Sequence, residues 1–215
     1  LLIITAIFAP LIAPYSYEDQ NLKNKFLLPS FEHLMGTDNF GRDIFSRIVY
    51  GSRVSLQVGF ISVGIGASIG GTLGALAAFY GGKVDNIIMR FIDILMAIPS
   101  MLLAISIAAS LGPGLRNAMI AVGVGSVPSY ARVVRAAVMT VKEMEYREAA
   151  RVIGAKNTRI ILRHILPNAV APIIVQVTFG VASAILSASS LSFIGLGIQP
   201  PTPEWGSMLS AGRQY

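Results

Sequence analysis

The stretch EYREAARVIGAKNTRIILRHILPN, residues 145–168, decides how the rest of this chain is read. It is a charged island. Residues 117–131 before it, and 165–203 from its end onward, contain no Asp, Glu, Lys or Arg. A charged segment bounded by apolar runs of helical length is the pattern of a chain that leaves a membrane, turns and enters it again.

Composition supports that reading over the whole chain. Of its 215 residues 53% are hydrophobic and 13% charged, with a mean hydropathy of +0.65, which is too apolar for an ordinary soluble domain. Charge-free runs cover residues 54–82, 94–115, 117–131 and 165–203. A span needs ~20 apolar residues, so three of these suffice, and the short run 117–131 suffices if Arg116 and Arg132 snorkel from its ends. The opening LLIITAIFAPLIAP, residues 1–14, would suit a signal-peptide core as well as a span. With Leu1 in place of an initiator Met, it is expected to be the outer end of a first transmembrane helix that begins upstream.

The positions of the charges orient the chain. Eight of the 17 Lys and Arg lie from Arg132 to Arg163, and Lys83 and Arg90 fall in a connection expected on the same side. The positive-inside rule makes that side cytoplasmic. The loop from Ser16 to Arg53 carries five basic residues, but five acids match them. A nucleic-acid surface is the weaker reading of the net charge of +6, because only Tyr146 interleaves the Arg132 to Arg163 cluster. Without cysteine, the redox compartment stays open.

Five alternating spans follow, at residues 1–14, 54–80, 91–111, 117–139 and 168–194, leaving 196–215 outside. Gly66, Gly70 and Gly74 put two small-xxx-small repeats on one face of the second span. Packing within the chain is the first expectation for them, and a subunit interface the second. Pro99 and Pro128 remove backbone donors and predict kinks, which could serve a gate or simply shape the bundle. In the first outside loop, Asp38 or Asp43 can cap a short helix whose stripe is Ile44, Phe45, Ile48 and Val49. That predicts an amphipathic helix at the outer membrane surface, with turns at Gly36, Gly41 and Gly51. It either plugs the outer side of the bundle or touches a delivering protein.

Chemistry is sparse. Gly81-Gly82-Lys83 lacks the rest of a phosphate loop, since Ala77 stands at the first glycine position and Val84 follows the lysine. His33 and His164 fall on opposite sides of the predicted topology, with no cysteine to join them in a metal site. No Ser, His and acid arrangement matches a nucleophile motif. Asp93 is the sole ionisable group near a membrane interior, and Arg90 one turn earlier offers it an i,i+3 partner. Catalysis and ion coupling are therefore not expected in this chain, and energy has to come from another polypeptide.

The island itself can form a short helix over residues 145–153, with Glu near its start and Gly154 as its stop. Ala149 and Ala150 keep one face small for a partner. Asn157 or Thr158 can cap a second helix carrying Ile160, Ile161 and Ile165, which Leu166-Pro167 ends before Asn168 opens the last span.

The spacing Glu148-Ala149-Ala150, three residues, Gly154, nine residues and then Leu166-Pro167 resembles the EAA loop of ABC-importer permeases, except that His164 replaces the usual Ile. HLMGTDNFGRDIFSRIVYGSRVSLQVG, residues 33–59, and PTPEWG, residues 201–206, resemble the C-type permeases of the dipeptide, oligopeptide and nickel branch. The resemblance implies an all-α polytopic transmembrane helical bundle, one permease domain over 1–215 with a sixth helix beyond its end. Residues 15–53 would form an extracytoplasmic loop and 140–167 a cytoplasmic coupling loop. Glu148, Ala149, Ala150, Arg151, Gly154 and Ala155 would then couple to the ATPase. It further implies a second permease subunit, two ATP-binding subunits that carry ATP and Mg, an extracytoplasmic solute-binding protein, surrounding membrane lipid and no nucleic acid. The cytoplasmic membrane of a bacterium or archaeon and import of peptides, nickel or another small solute complete the expectation. A channel or scaffold without ATP coupling is the alternative.

Overall fold

The computed structural model describes residues 1–142, 154 and 156–215, and their regular structure is helical. The helices are α1 (Leu2–Ile7), α2 (Ala9–Ile12), α3 (Ile44–Tyr80), α4 (Gly82–Met96), α5 (Ser100–Leu111) and α6 (Leu115–Lys142). They continue with α7 (Asn157–Ile160), α8 (Val170–Phe193) and α9 (Trp205–Gly212). Among the described residues, α3 and α8 are long and apolar enough to cross a membrane. The α4 and α5 pair adds a third crossing if it is one broken span. Contacts divide the chain into two units: residues 1–60, 105–120 and 183–215 form one, and residues 61–104 and 121–182 the other.

The second unit holds the glycine stripe. A Cβ at Gly70 would lie 2.9 Å from Tyr130 Cβ and 3.0 Å from the Ala131 nitrogen, and one at Gly74 would lie 3.0 Å from the Arg135 nitrogen. Gly66 meets Ser126 and Tyr130 in the same way. The small face of α3 thus lies against the backbone of α6, where dispersion contacts replace the hydrophobic drive that lipid does not supply. Packing within the chain, the first expectation, is what is found. Tyr130 is fully buried, and its ring also faces Gly180 of α8, whose Cβ would come within 3.1 Å of Tyr130 Cζ.

Several expectations are corrected. The kink expected at Pro99 is present as a full break, where α4 and α5 meet at 83° across residues 97–99, but the helix before it starts at Gly82 and not at residue 91. Pro99 cannot continue the ladder behind it and restricts Ile98, which is the physical cause of the break. Lys83 and Arg90 consequently lie on a helix rather than in a connection. Pro128, in contrast, sits inside one continuous helix. The opening run is two short helices parted at Phe8, with Pro10 in the first turn of α2. The loop from residue 196 onward contains α9.

No separate surface helix precedes α3. Asp43 caps at the expected place, accepting from the Ser46 amide at 2.8 Å, but Ile44 begins a helix of 37 residues that runs unbroken to Tyr80. Gly36 and Gly41 are turns with φ of 73° and 70°, whereas Gly51 lies within the helix, where a Cβ would be 3.3 Å from the Trp205 ring. The chain continues helically because neighbouring segments satisfy the polar groups on this face. Arg47, Ser46 and Ser52 are buried, and Arg53 Nη2 donates to the Ile7 carbonyl at 2.7 Å.

Candidate functional site

The described flanks of the charged island are built into one core of the second unit. Val134, Val138 and Val141 on the last turns of α6 pack with Ala75, Ala78 and Phe79 of α3. Ile160, Ile165 and Ala169, on the way back toward α8, close the same cluster, and both isoleucines are fully buried. Burying two such side chains stabilises the return segment by about 3–6 kcal/mol relative to exposure. The chain therefore leaves and re-enters one packed base.

Polar contacts brace that base. Lys142, in the last turn of α6, donates from Nζ to the Ala78 carbonyl at 2.8 Å, near the C-terminus of α3 where free carbonyls and the helix dipole favour a cation. Arg135 grips Asp85 of α4 through two bonds of 2.6 Å, Nε to Oδ1 and Nη2 to Oδ2. Arg132 Nη2 reaches Asp93 at 2.7 Å. Asp93 is thus paired with Arg132 of α6, which brings a guanidinium to its side.

Of the expected coupling residues, Glu148, Ala149, Ala150, Arg151 and Ala155 lie outside the described residues. Gly154 is exposed with φ of 81°, the left-handed conformation that a helix stop requires, and nothing lies within 4 Å of a Cβ built there. Neither Asn157 nor Thr158 caps the second helix. Lys156 occupies the cap position without a side-chain bond, and Asn157 is already helical. The helix then widens into a π-turn over Ile161–Ile165. His164, which departs from the motif, is half-buried in that turn, and its neighbour Ile165 takes the buried position.

The first unit contains a second cluster that sequence reasoning did not anticipate. Glu204 is buried, caps α9 by accepting from the Gly206 and Ser207 amides at 2.8 Å each, and accepts from Ser189 Oγ at 3.0 Å. Trp205 Nε1 donates to the Ile48 carbonyl at 3.2 Å. Asp38 receives Arg42 Nε at 2.7 Å, and His33 Nδ1 lies 3.0 Å from Asp43 Oδ1 beneath the Tyr15 ring. Asp followed four residues on by Arg was the available signal for the Asp38 contact. For Glu204, the residue before an apolar helical stretch was the signal, since a carboxyl there meets free amides.

The family described as binding-protein-dependent transport system inner membrane component matches residues 70–213, and the N-terminal TM domain of oligopeptide transport permease C matches residues 1–29. The chain is 54% identical over 213 residues to the dipeptide transport system permease protein DppC of Alkalihalophilus pseudofirmus, covering 99% of this chain and 70% of that protein. It is 50% identical over 217 residues to the glutathione transport system permease protein GsiD of Escherichia coli O157:H7, covering 99% and 71%. To the di/tripeptide transport system permease protein DppC of Pseudomonas aeruginosa it is 46% identical over 221 residues, covering 100% and 73%. Among solved structures, the methionine ABC transporter MetNI in inward-facing conformations aligns with a TM-score of 0.66 at 22% identity, over 79% of this chain and 80% of that one. That likeness supports the fold.

Proposed function

From a chain that belongs to the binding-protein-dependent transport inner membrane components, a family of multi-pass membrane proteins, we propose a C-type permease subunit of an ATP-driven peptide importer. The observation that carries this is the mounting of the island. A loop with the Glu148 to Gly154 spacing leaves from α6 and returns through α7 into one shared core. A partner pushing on such a loop displaces helices instead of bending a tether.

Small peptides are the favoured cargo, since the similar permeases serve dipeptide, di/tripeptide and glutathione systems. The partners are a second permease, two ATP-binding subunits that carry ATP and Mg, and an extracytoplasmic solute-binding protein, in the cytoplasmic membrane of a bacterium or archaeon. This chain takes no catalytic part. Exposed Ile174, Val175, Phe179 and Leu186 on α8 offer an apolar surface suited to lipid.

Glu148→Lys tests the coupling role. Dipeptide uptake should fall to background and the ATPase subunits should no longer co-purify, while membrane insertion is unchanged; wild-type uptake with wild-type co-purification rejects the assignment. Gly154 separates backbone from side chain. Space is open there, so the obstacle to substitution is the positive φ, costing about 1–2 kcal/mol for a branched residue and less for asparagine. Gly154→Asn should retain most uptake and Gly154→Val should lose it. Equal loss in both would place the requirement on the bare glycine surface instead.

A further inference from the structure

Helix α4 is set off from its own chain by a turn at each end and is held by its neighbours. At its start Gly81 and Gly82 both have positive φ, 64° and 53°, a glycine joint after α3. At its end the chain breaks at residues 97–99 and turns by 83° into α5. Between these joints, Ile92 is fully buried with Val127 and Ala131 of α6, flanked by Ile88, Met89 and Leu73. Along α4 the two ion pairs fall before and after Ile92, and on α6 both follow Ala131. Asp85 and Asp93, two turns apart on α4, meet Arg135 and Arg132, one turn apart on α6.

The pairs differ in strength. Arg132 and Asp93 are about half exposed, where solvent screens a single bond to little net effect. Arg135 and Asp85 are more sheltered, at 30% and 17% exposure, and form a two-bond fork that fixes orientation as well as distance. Arg135 also lies two turns before Lys142, which ties the same end of α6 to α3. The stem of the island, the end of α3 and α4 are therefore tied into one block, and the bend at residues 97–99 lies at the far end of α4.

We propose that Asp85 and Arg135 are positioning residues of energy coupling: their fork makes α4 travel with the stem of the island, so that displacement of α6 is delivered to the bend before α5. This rests on the coupling role proposed for the island. A fork that served folding alone would leave the work obtained per ATP unchanged in any variant that assembles, whereas a fork that transmits motion sets that ratio.

The test uses the whole importer, with both permeases, the ATPase subunits and the binding protein, reconstituted in vesicles and supplied with a radiolabelled alanyl dipeptide. The quantity read is dipeptide accumulated per ATP hydrolysed. Asp85→Asn and Arg135→Gln should each lower it roughly tenfold with ATPase subunits still bound, the scale of a typical coupling energy. Asp85→Glu, which keeps a carboxylate for the fork, should stay within about twofold of wild type. If Asp85→Asn assembles and carries as much dipeptide per ATP as wild type, or if Asp85→Glu falls as far as Asp85→Asn, the inference is overturned. If the wild-type chain does not hold the ATPase subunits at all, the reading of the island falls first and this one with it.

Discussion

Gly70→Leu is expected to prevent α3 from seating on α6 and to cause a large loss of folded protein. A Cβ alone would press on the Val127 carbonyl and stand 3.0 Å from the Ala131 nitrogen, and both are helix backbone that cannot swing aside. Overpacking against yielding side chains costs about 1–3 kcal/mol, and a backbone obstacle belongs at or above the top of that range. Against a stability on the order of 10 kcal/mol, the melting temperature in detergent should drop on the order of 10 °C and yield should fall with it. Gly64→Leu is the matched control. It lies on the same helix with nothing within 4 Å of its Cβ, and leucine is the better helix former there by about 0.8 kcal/mol. If the two variants melt together, close approach of α3 and α6 is not what the glycines provide.

Glu204→Ala should release α9 and expose the sole tryptophan of the chain. The carboxyl group is 1% exposed and satisfies two amides and one hydroxyl, so its removal leaves three donors without this partner in a place that water does not reach freely. Losing the cap costs about 0.5–2 kcal/mol, and each buried donor left unsatisfied adds about 1–3 kcal/mol before local relaxation. A net loss of about 3 kcal/mol is expected. Trp205 reports it directly, because its ring packs against Gly51 and its Nε1 binds the Ile48 carbonyl. Emission of the purified subunit should shift to the red in Glu204→Ala and remain near wild type in Ser189→Ala, which removes only one of the three bonds. An unshifted spectrum in Glu204→Ala would mean that α9 is held by its apolar contacts alone.

Much of this architecture can be read along the chain. The run 168–194 is a span, realised as α8, because a long charge-free stretch has few alternatives in lipid. Asp43 marks the start of α3 and Gly36 and Gly41 mark turns, since capping and positive φ are decided by residues a few positions apart. The glycine stripe announces close packing for the same reason: its period is contained in one helix. Gly154 has the backbone conformation its place in the island calls for, although the helix it would end lies outside the described residues.

What could not be read depends on which helices meet. The kink at Pro99 is legible, but the burial of Ile92 of α4 against Val127 and Ala131 of α6 is not, because it depends on where those two helices meet. Arg90 was the natural partner for Asp93 by sequence distance, yet the bond is made to Arg132, 39 residues away, and Asp85 finds Arg135 at a separation of 50. Glu204 reads as an exposed loop acid until Ser189 and the first turn of α9 close over it.

The sequence by itself determined that the chain is an all-α membrane protein, where its charged island stands, and that the island resembles the coupling loop of an importer permease. Those properties are local: hydropathy, helix period and motif spacing are set by residues that remain neighbours in any fold. Only the tertiary structure decided that α4 is a separate strut, that Asp85 and Arg135 lock it to the base of the island, and that Glu204 is an interior cap. Ion pairing, burial and backbone approach require two surfaces to arrive at one place, and that arrival is a property of the packed helices.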